Sequence, residues 1–174
     1  PSHTLPALVW AKRNDNPLAL SSYRAETSEP FAGPRGLPLT KPPYGRITAI
    51  DMQTGEHVWM SPVGRGPVDH PALRDLDLPD LGWANRSFAV ATSTLLLVAS
   101  QDPDSFSGSG SASTSQEACL RAFDLDTGDL VGQVALPGNA SGSPMTYMVA
   151  GRQYIAVPVG NRRSGPELVV LALP

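Results

Sequence analysis

One short pattern constrains this chain more than any other. The run "YGRITAIDMQTGEHVW" (Tyr44 to Trp59) is nearly repeated as "CLRAFDLDTGDLVG" (Cys119 to Gly132). Each copy reads as a strand, a turn closed by Asp and Gly, and a returning strand. The Asp51 carboxylate is suited to accept bonds from N–H groups inside its turn, and Gly55 to take the positive φ that closes it. Asp124 and Gly128 stand at the same places in the second copy. The copies are too far apart for one repeat of about 40–50 residues unless a long loop intervenes. The Pro-, Gly- and Asp-rich stretch Ser61 to Arg86 supplies that loop.

The rest of the chain reads in the same way. Residues 87–91 and 95–100 suggest two strands joined by a Ser-Thr turn, and the low-complexity insert 103–117 suggests a surface loop. Strands at 119–124 and 130–136 follow, then a hairpin around Ala150–Gly151 and a last strand near 167–173. No segment of ten or more residues has a helical period. The 18 Pro and 16 Gly among 174 residues suit short strands and turns. The expected fold class is therefore all-β.

Grouped by order, residues 87–136 hold four antiparallel strands, the content of one β-propeller blade. Residues 137–174 supply three strands of another and await a closing strand. Residues 44–86 supply the last two strands of an earlier blade plus the long loop, and residues 1–43 an irregular lead-in and the end of a preceding blade. Blades bury their faces on one another, so a short arc leaves apolar faces and sheet edges open. The expectation is the C-terminal part of a larger propeller that folds poorly by itself.

Composition excludes little else. A hydrophobic fraction of 41% and a charged fraction of 17% describe a globular chain. A net charge of −3 gives no electrostatic reason to expect nucleic acid or an anionic membrane. No apolar run is long enough to span a bilayer, and the N-terminus lacks a signal-peptide pattern. Cys119 stands alone and is expected to be a small buried hydrophobe. His3, His57 and His70 are scattered without ligand spacing, and His70, before a Pro, reads as a solvated turn residue. Asn85-Arg86-Ser87 and Asn139-Ala140-Ser141 fit the glycosylation triplet, which often arises by chance.

Several runs together resemble a known family. Ala49-x-Asp51-x-x-Thr54-Gly55-Glu56-x-x-Trp59 resembles the tryptophan-docking motif of the eight-bladed quinoprotein dehydrogenases, which use pyrroloquinoline quinone. "HPALRDLDLPDLG", "TSTLLLVASQD", "LRAFDLDTG" and "GSPMTYMVAGRQYIAVPVG" follow in the order found at the C-terminal region of the glucose-dehydrogenase-like branch. The resemblance covers most of residues 36–174. It implies the last two to three blades of an eight-bladed propeller, with Trp59 packed between adjacent blades. Gly132 stands where the second copy would carry its tryptophan, so that docking position has degenerated.

The same resemblance implies oxidation of a sugar or alcohol by hydride transfer to pyrroloquinoline quinone. It also implies a calcium ion and transfer of electrons to a quinone or cytochrome. The catalytic base and the calcium ligands belong to earlier blades, so no catalytic residue or metal ligand is assigned in this chain. It implies further a periplasmic location, with any membrane anchor upstream, and upstream propeller blades as partners. The cofactor is a flat tricarboxylate, so its pocket needs an aromatic face with cationic or amide donors.

The run "GWANR" supplies such groups in Trp83, Asn85 and Arg86, at a loop the resemblance puts at the mouth of the central channel. Trp83 either contacts the cofactor or packs between blades. Arg86 either binds a cofactor carboxylate or forms a surface or interblade ion pair. The glucose-dehydrogenase-like branch tends to "GRPGR" here, matching only Gly82 and Arg86. Gly160 and Asn161 form a second cofactor-binding candidate, with Arg162 and Arg163 equally readable as solvated charges. Asp102 resembles an aspartate linked to quinone reduction, and Glu117, beyond the insert, is the alternative match. The competing readings are a non-catalytic propeller that binds other proteins, and an inactive fragment.

Overall fold

The computed structural model describes residues 9–27, 33–83, 85–101, 118–160 and 165–172. They fall into two compact units, one within Thr4–Lys41 and one within Pro42–Pro174. The first holds an antiparallel pair, β1 (Val9–Arg13) and β2 (Tyr23–Thr27), with Trp10 opposite Glu26. The sequence had suggested no particular strand there. These strands are exposed and carry charged residues between the apolar ones, so their alternation is weak.

The second unit begins with β3 (Arg46–Ile50) and β4 (His57–Pro62), an antiparallel pair. A four-stranded antiparallel sheet follows in the order β5 (Ser87–Ala91), β6 (Leu95–Ser100), β7 (Cys119–Asp124) and β8 (Leu130–Ala135). A third sheet runs β10 (Met145–Val149), β11 (Arg152–Gly160) and β12 (Glu167–Ala172), and the two-residue β9 (Asn139–Ala140) also pairs with β11. The described residues contain no α-helix, only single 3-10 turns at Pro34–Gly36 and Arg74–Leu76. The fold is all-β, built of small antiparallel sheets as propeller blades are. No helix among them is long and apolar enough to cross a membrane.

Side-chain alternation explains how the sheets pack. On one face of the middle sheet, Val98 and Phe123 bury against Val63, with Leu96 and Ile47 around them. On the other, Leu97, Ala99 and Leu120 pack with Ala140, Ile155, Val157 and Val159 of the third sheet. Strand β6 is thus covered on both faces, which is why it reads as an unbroken apolar run. Strand β8 is exposed along its whole length.

The two repeated turns are closed alike. Asp51 Oδ1 accepts from the N–H groups of Gln53 and Thr54, at 2.8 and 2.9 Å. Asp124 Oδ1 accepts from Asp126 and Thr127, each at 2.9 Å. These bonds favour the charged carboxylate, and those from Thr54 and Thr127 contribute most to holding the two acids below the usual aspartate range. Gly55 and Gly128 take φ values of 76° and 78°.

Two expectations for single residues change in the structure. Cys119 is half-buried at the start of β7 rather than enclosed. His70 is half-buried, and its Nδ1 accepts the Ala72 N–H at 3.1 Å, so it organises its loop rather than standing free in water.

Candidate functional site

The segment before β5 is positioned by backbone pairing that extends the β3–β4 sheet. Past the end of β4 the chain leaves for a long excursion and returns antiparallel to itself. Leu81 donates to the Arg65 carbonyl at 2.8 Å, Gly82 to Gly64 at 2.9 Å and Trp83 to Val63 at 2.9 Å. On the opposite side Tyr44 donates to Leu81 at 2.7 Å, and Val63 to Gly45 at 3.0 Å. Gly45 and Gly82 let the two backbones cross in contact. A methyl group at Gly45 would lie 2.6 Å from the Trp83 carbonyl carbon, and one at Gly82 would lie 2.9 Å from that of Gly45. Trp83 is therefore carried on a fixed backbone even though it belongs to no strand.

Two polar atoms on this segment are buried without a hydrogen-bond partner among the described residues, the Trp83 Nε1 and the Asn85 Oδ1. Burying such groups unpaired costs about 1–3 kcal/mol each, so their persistence asks for a ligand or a water. The Asn85 backbone N–H donates to the Trp83 carbonyl at 2.9 Å, which fixes the two residues close along the backbone. The Asn85 Nδ2 donates to the Gln101 carbonyl, which leaves the Oδ1 as the free acceptor. The segment thus carries one indole donor and one amide acceptor, groups that a heteroaromatic ligand with acceptors and an N–H could use.

The other candidates fall in different places. Arg86 is exposed, and no ion pair of its guanidinium is found among the described residues; its carbonyl accepts the Gln101 N–H at 3.2 Å. Gly160 closes β11 opposite Asn139 and is half-buried. Asn161, Asp102, Glu117, Arg162 and Arg163 lie outside the described residues, as does His3. His57 is exposed on β4. Among the described residues no group of three or more His, Cys, Asp or Glu is arranged to hold a metal ion.

Trp83, Asn85 and Arg86 are near neighbours along the chain, and the structure links this segment to the strand that pairs with Gly160. The link is Gln101, whose side-chain Nε2 donates to the Ala140 carbonyl at 2.9 Å. Sequence reasoning passed over Gln101 because a lone amide after a strand belongs to no motif. A cavity of about 190 Å³ lies elsewhere, lined among others by Ser61, Asp80, Arg121, Phe123 and Asp129. It holds none of the residues picked out as cofactor contacts. The unpaired buried atoms are on the Trp83 turn instead.

The family described as glucose/ethanol/alcohol dehydrogenase, β-propeller domain, matches over residues 10–155. The chain is similar to the glycerol dehydrogenase large subunit of Gluconobacter thailandicus, 35% identical over 80% of this chain and 18% of that protein. It is 30% identical to the quinoprotein glucose dehydrogenase of Escherichia coli (strain K12), over 85% of this chain and 18% of that protein. It is 28% identical to the quinate/shikimate dehydrogenase (quinone) of Acinetobacter baylyi, over 87% of this chain and 17% of that protein. The chain therefore spans about a fifth of the length of these curated relatives, 18% for the first.

Proposed function

Because the chain belongs to the glucose/ethanol/alcohol dehydrogenase β-propeller family, we propose that it forms the last blades of a periplasmic quinoprotein dehydrogenase. The whole protein oxidises a sugar, polyol or other alcohol and passes electrons to a quinone or cytochrome. The observation that carries this reading is the buried, unpaired pair of atoms at Trp83 and Asn85. Trp83 would help hold the cofactor by donating its indole N–H to a carboxylate or carbonyl oxygen. Asn85 accepts the cofactor's pyrrole N–H at its Oδ1, and exposed Arg86 draws the carboxylates toward the turn. Gly160 and Asn161 serve as further cofactor contacts, and Asp102 serves electron transfer. Trp59, against the next repeat's turn, acts as the docking tryptophan that keeps the blades in register.

When bound, pyrroloquinoline quinone supplies the two-electron acceptor for oxidation of the alcohol carbon. This chain's part is to bind and orient it. Calcium and the catalytic base are supplied by upstream blades, consistent with relatives that are several times longer.

The test uses the complete protein. It is titrated with pyrroloquinoline quinone while tryptophan fluorescence is followed, with calcium or with a chelator, and then assayed with glucose, glycerol and quinate and an artificial electron acceptor. The expected result is saturable uptake and substrate-dependent acceptor reduction, both lost in Trp83→Ala. A folded, complete protein that takes up no cofactor overturns the proposal in favour of a non-catalytic propeller.

A further inference from the structure

We infer that Gln101 is the positioning residue of the Trp83–Asn85 pocket, holding it in fixed relation to the strand end at Gly160. The inference rests on reading that pocket as the cofactor's. Three bonds converge on this residue. Its N–H donates to the Arg86 carbonyl at 3.2 Å, its carbonyl accepts the Asn85 Nδ2, and its Nε2 donates to the Ala140 carbonyl at 2.9 Å. Ala140 is fully buried, at 0% exposure. It stands opposite Val159 on β11, and its neighbour Asn139 stands opposite Gly160.

The two halves of Gln101 do separate things. Its backbone decides which way the Asn85 amide faces. With Nδ2 committed to the Gln101 carbonyl, Oδ1 is the atom left to a ligand, and the segment gains an acceptor in addition to the Trp83 donor. Its side chain reaches from the middle sheet to the third and ties the end of β6 to β9. The loop that carries Trp83 and Asn85 and the strand that ends at Gly160 thus share one hinge point. A ligand gripped from both sides needs their separation fixed before it arrives, since a site that must be ordered on binding loses affinity.

The test is made in the complete protein with Gln101→Met, which keeps the side chain's length and removes its amide, and with it the donor to Ala140. The equilibrium binding of pyrroloquinoline quinone is read from tryptophan fluorescence, and amide hydrogen exchange is read in the apo-protein. Binding weakened about five- to tenfold is expected, as for loss of one buried hydrogen bond. Faster exchange at residues 82–86 and 139–140 should accompany it. Gln101→Lys, which restores a nitrogen donor, should bring affinity back to within about twofold of the wild type. If Gln101→Met does not fold, Gln101→Leu, also without a donor or a charge, takes its place with the same expectations.

A Gln101 variant that binds cofactor with wild-type affinity, while Trp83→Phe or Asn85→Asp weakens it, overturns the positioning role and leaves the pocket reading standing. Equal losses in Gln101→Met and Gln101→Lys overturn it as well, because they show a general structural defect. If the Trp83 and Asn85 variants also bind normally, it is the pocket reading that has failed.

Discussion

The indole ring of Trp59 lies over Gly128, so that the tryptophan of the first repeated turn covers the glycine that closes the second. Its Nε1 donates to the Leu125 carbonyl at 2.9 Å, and Ser61, two residues on, donates its hydroxyl to the Gly128 carbonyl at 2.5 Å. A methyl group at Gly128 would lie 2.6 Å from the Trp59 Cδ2 and 2.8 Å from the Ser61 Oγ. Gly55 has nearly the same φ but nothing within 4 Å of such a methyl.

This difference sets the first expectation. Gly55→Ala bears only the left-handed backbone penalty, about 1–2 kcal/mol. Gly128→Ala bears that and a clash with the indole, and should cost at least twice as much. In a Trp59→Ala background the extra cost of Gly128→Ala should vanish, because the ring it strikes is gone. Chemical denaturation of the four variants measures this. Additive losses would mean that ring and turn are not coupled.

Acid stability should carry the mark of the two turns. Asp51 and Asp124 both titrate below the usual aspartate range because N–H groups favour their charged form. A depressed folded-state pKa contributes stability that is present above the unfolded value, about 3.9, and is lost as pH falls through the folded one. Melting temperature should therefore decline below about pH 4 more steeply in the wild type than in Asp51→Asn/Asp124→Asn. Asp51 is exposed and Asp124 only half-buried, so the difference is small and is best read at low salt. Parallel curves for the two proteins would refute it.

The buried guanidinium of Arg121 gives a third expectation. Only 6% exposed, it donates from Nη1 to the Ser100 Oγ at 2.8 Å, and no carboxylate stands within ion-pair distance among the described residues. Ser100→Ala removes that acceptor and should cost about 1–3 kcal/mol. Phe123→Ala, in the apolar cluster on the same face, should cost about 3–5 kcal/mol. Equilibrium unfolding compares them, and a neutral Ser100→Ala would show that water satisfies Arg121.

Gly132 provides the converse case. It occupies the register that Trp59 has in the first copy, opposite Ala122 as Trp59 is opposite Ala49, and nothing lies within 4 Å of a methyl placed there. Gly132→Ala should stabilise by about 0.5–1 kcal/mol, because alanine has less backbone freedom to lose in a strand. A loss of stability in thermal melts would show that a neighbouring blade approaches this position in the complete protein.

The sequence by itself determined the turns and most strands. Asp51 and Gly55, like Asp124 and Gly128, close their turns through bonds within a few residues, so their chemistry was legible in one short run. Strand β6 was legible too, because a strand buried on both faces is apolar throughout. Tertiary structure decided the remainder. The pairing of Val63–Arg65 with Leu81–Trp83 spans a loop of no clear period, and glycines that permit backbone crossing look like any loop glycines. The family resemblance put Trp59 between blades, yet only the structure selected the Leu125 carbonyl and the face of Gly128. Gln101 was invisible because its partners, Asn85 and Ala140, come from opposite directions along the chain. Local hydrogen bonds are written in neighbouring residues, whereas contacts between sheets depend on how whole faces come into register, which no short run of residues records.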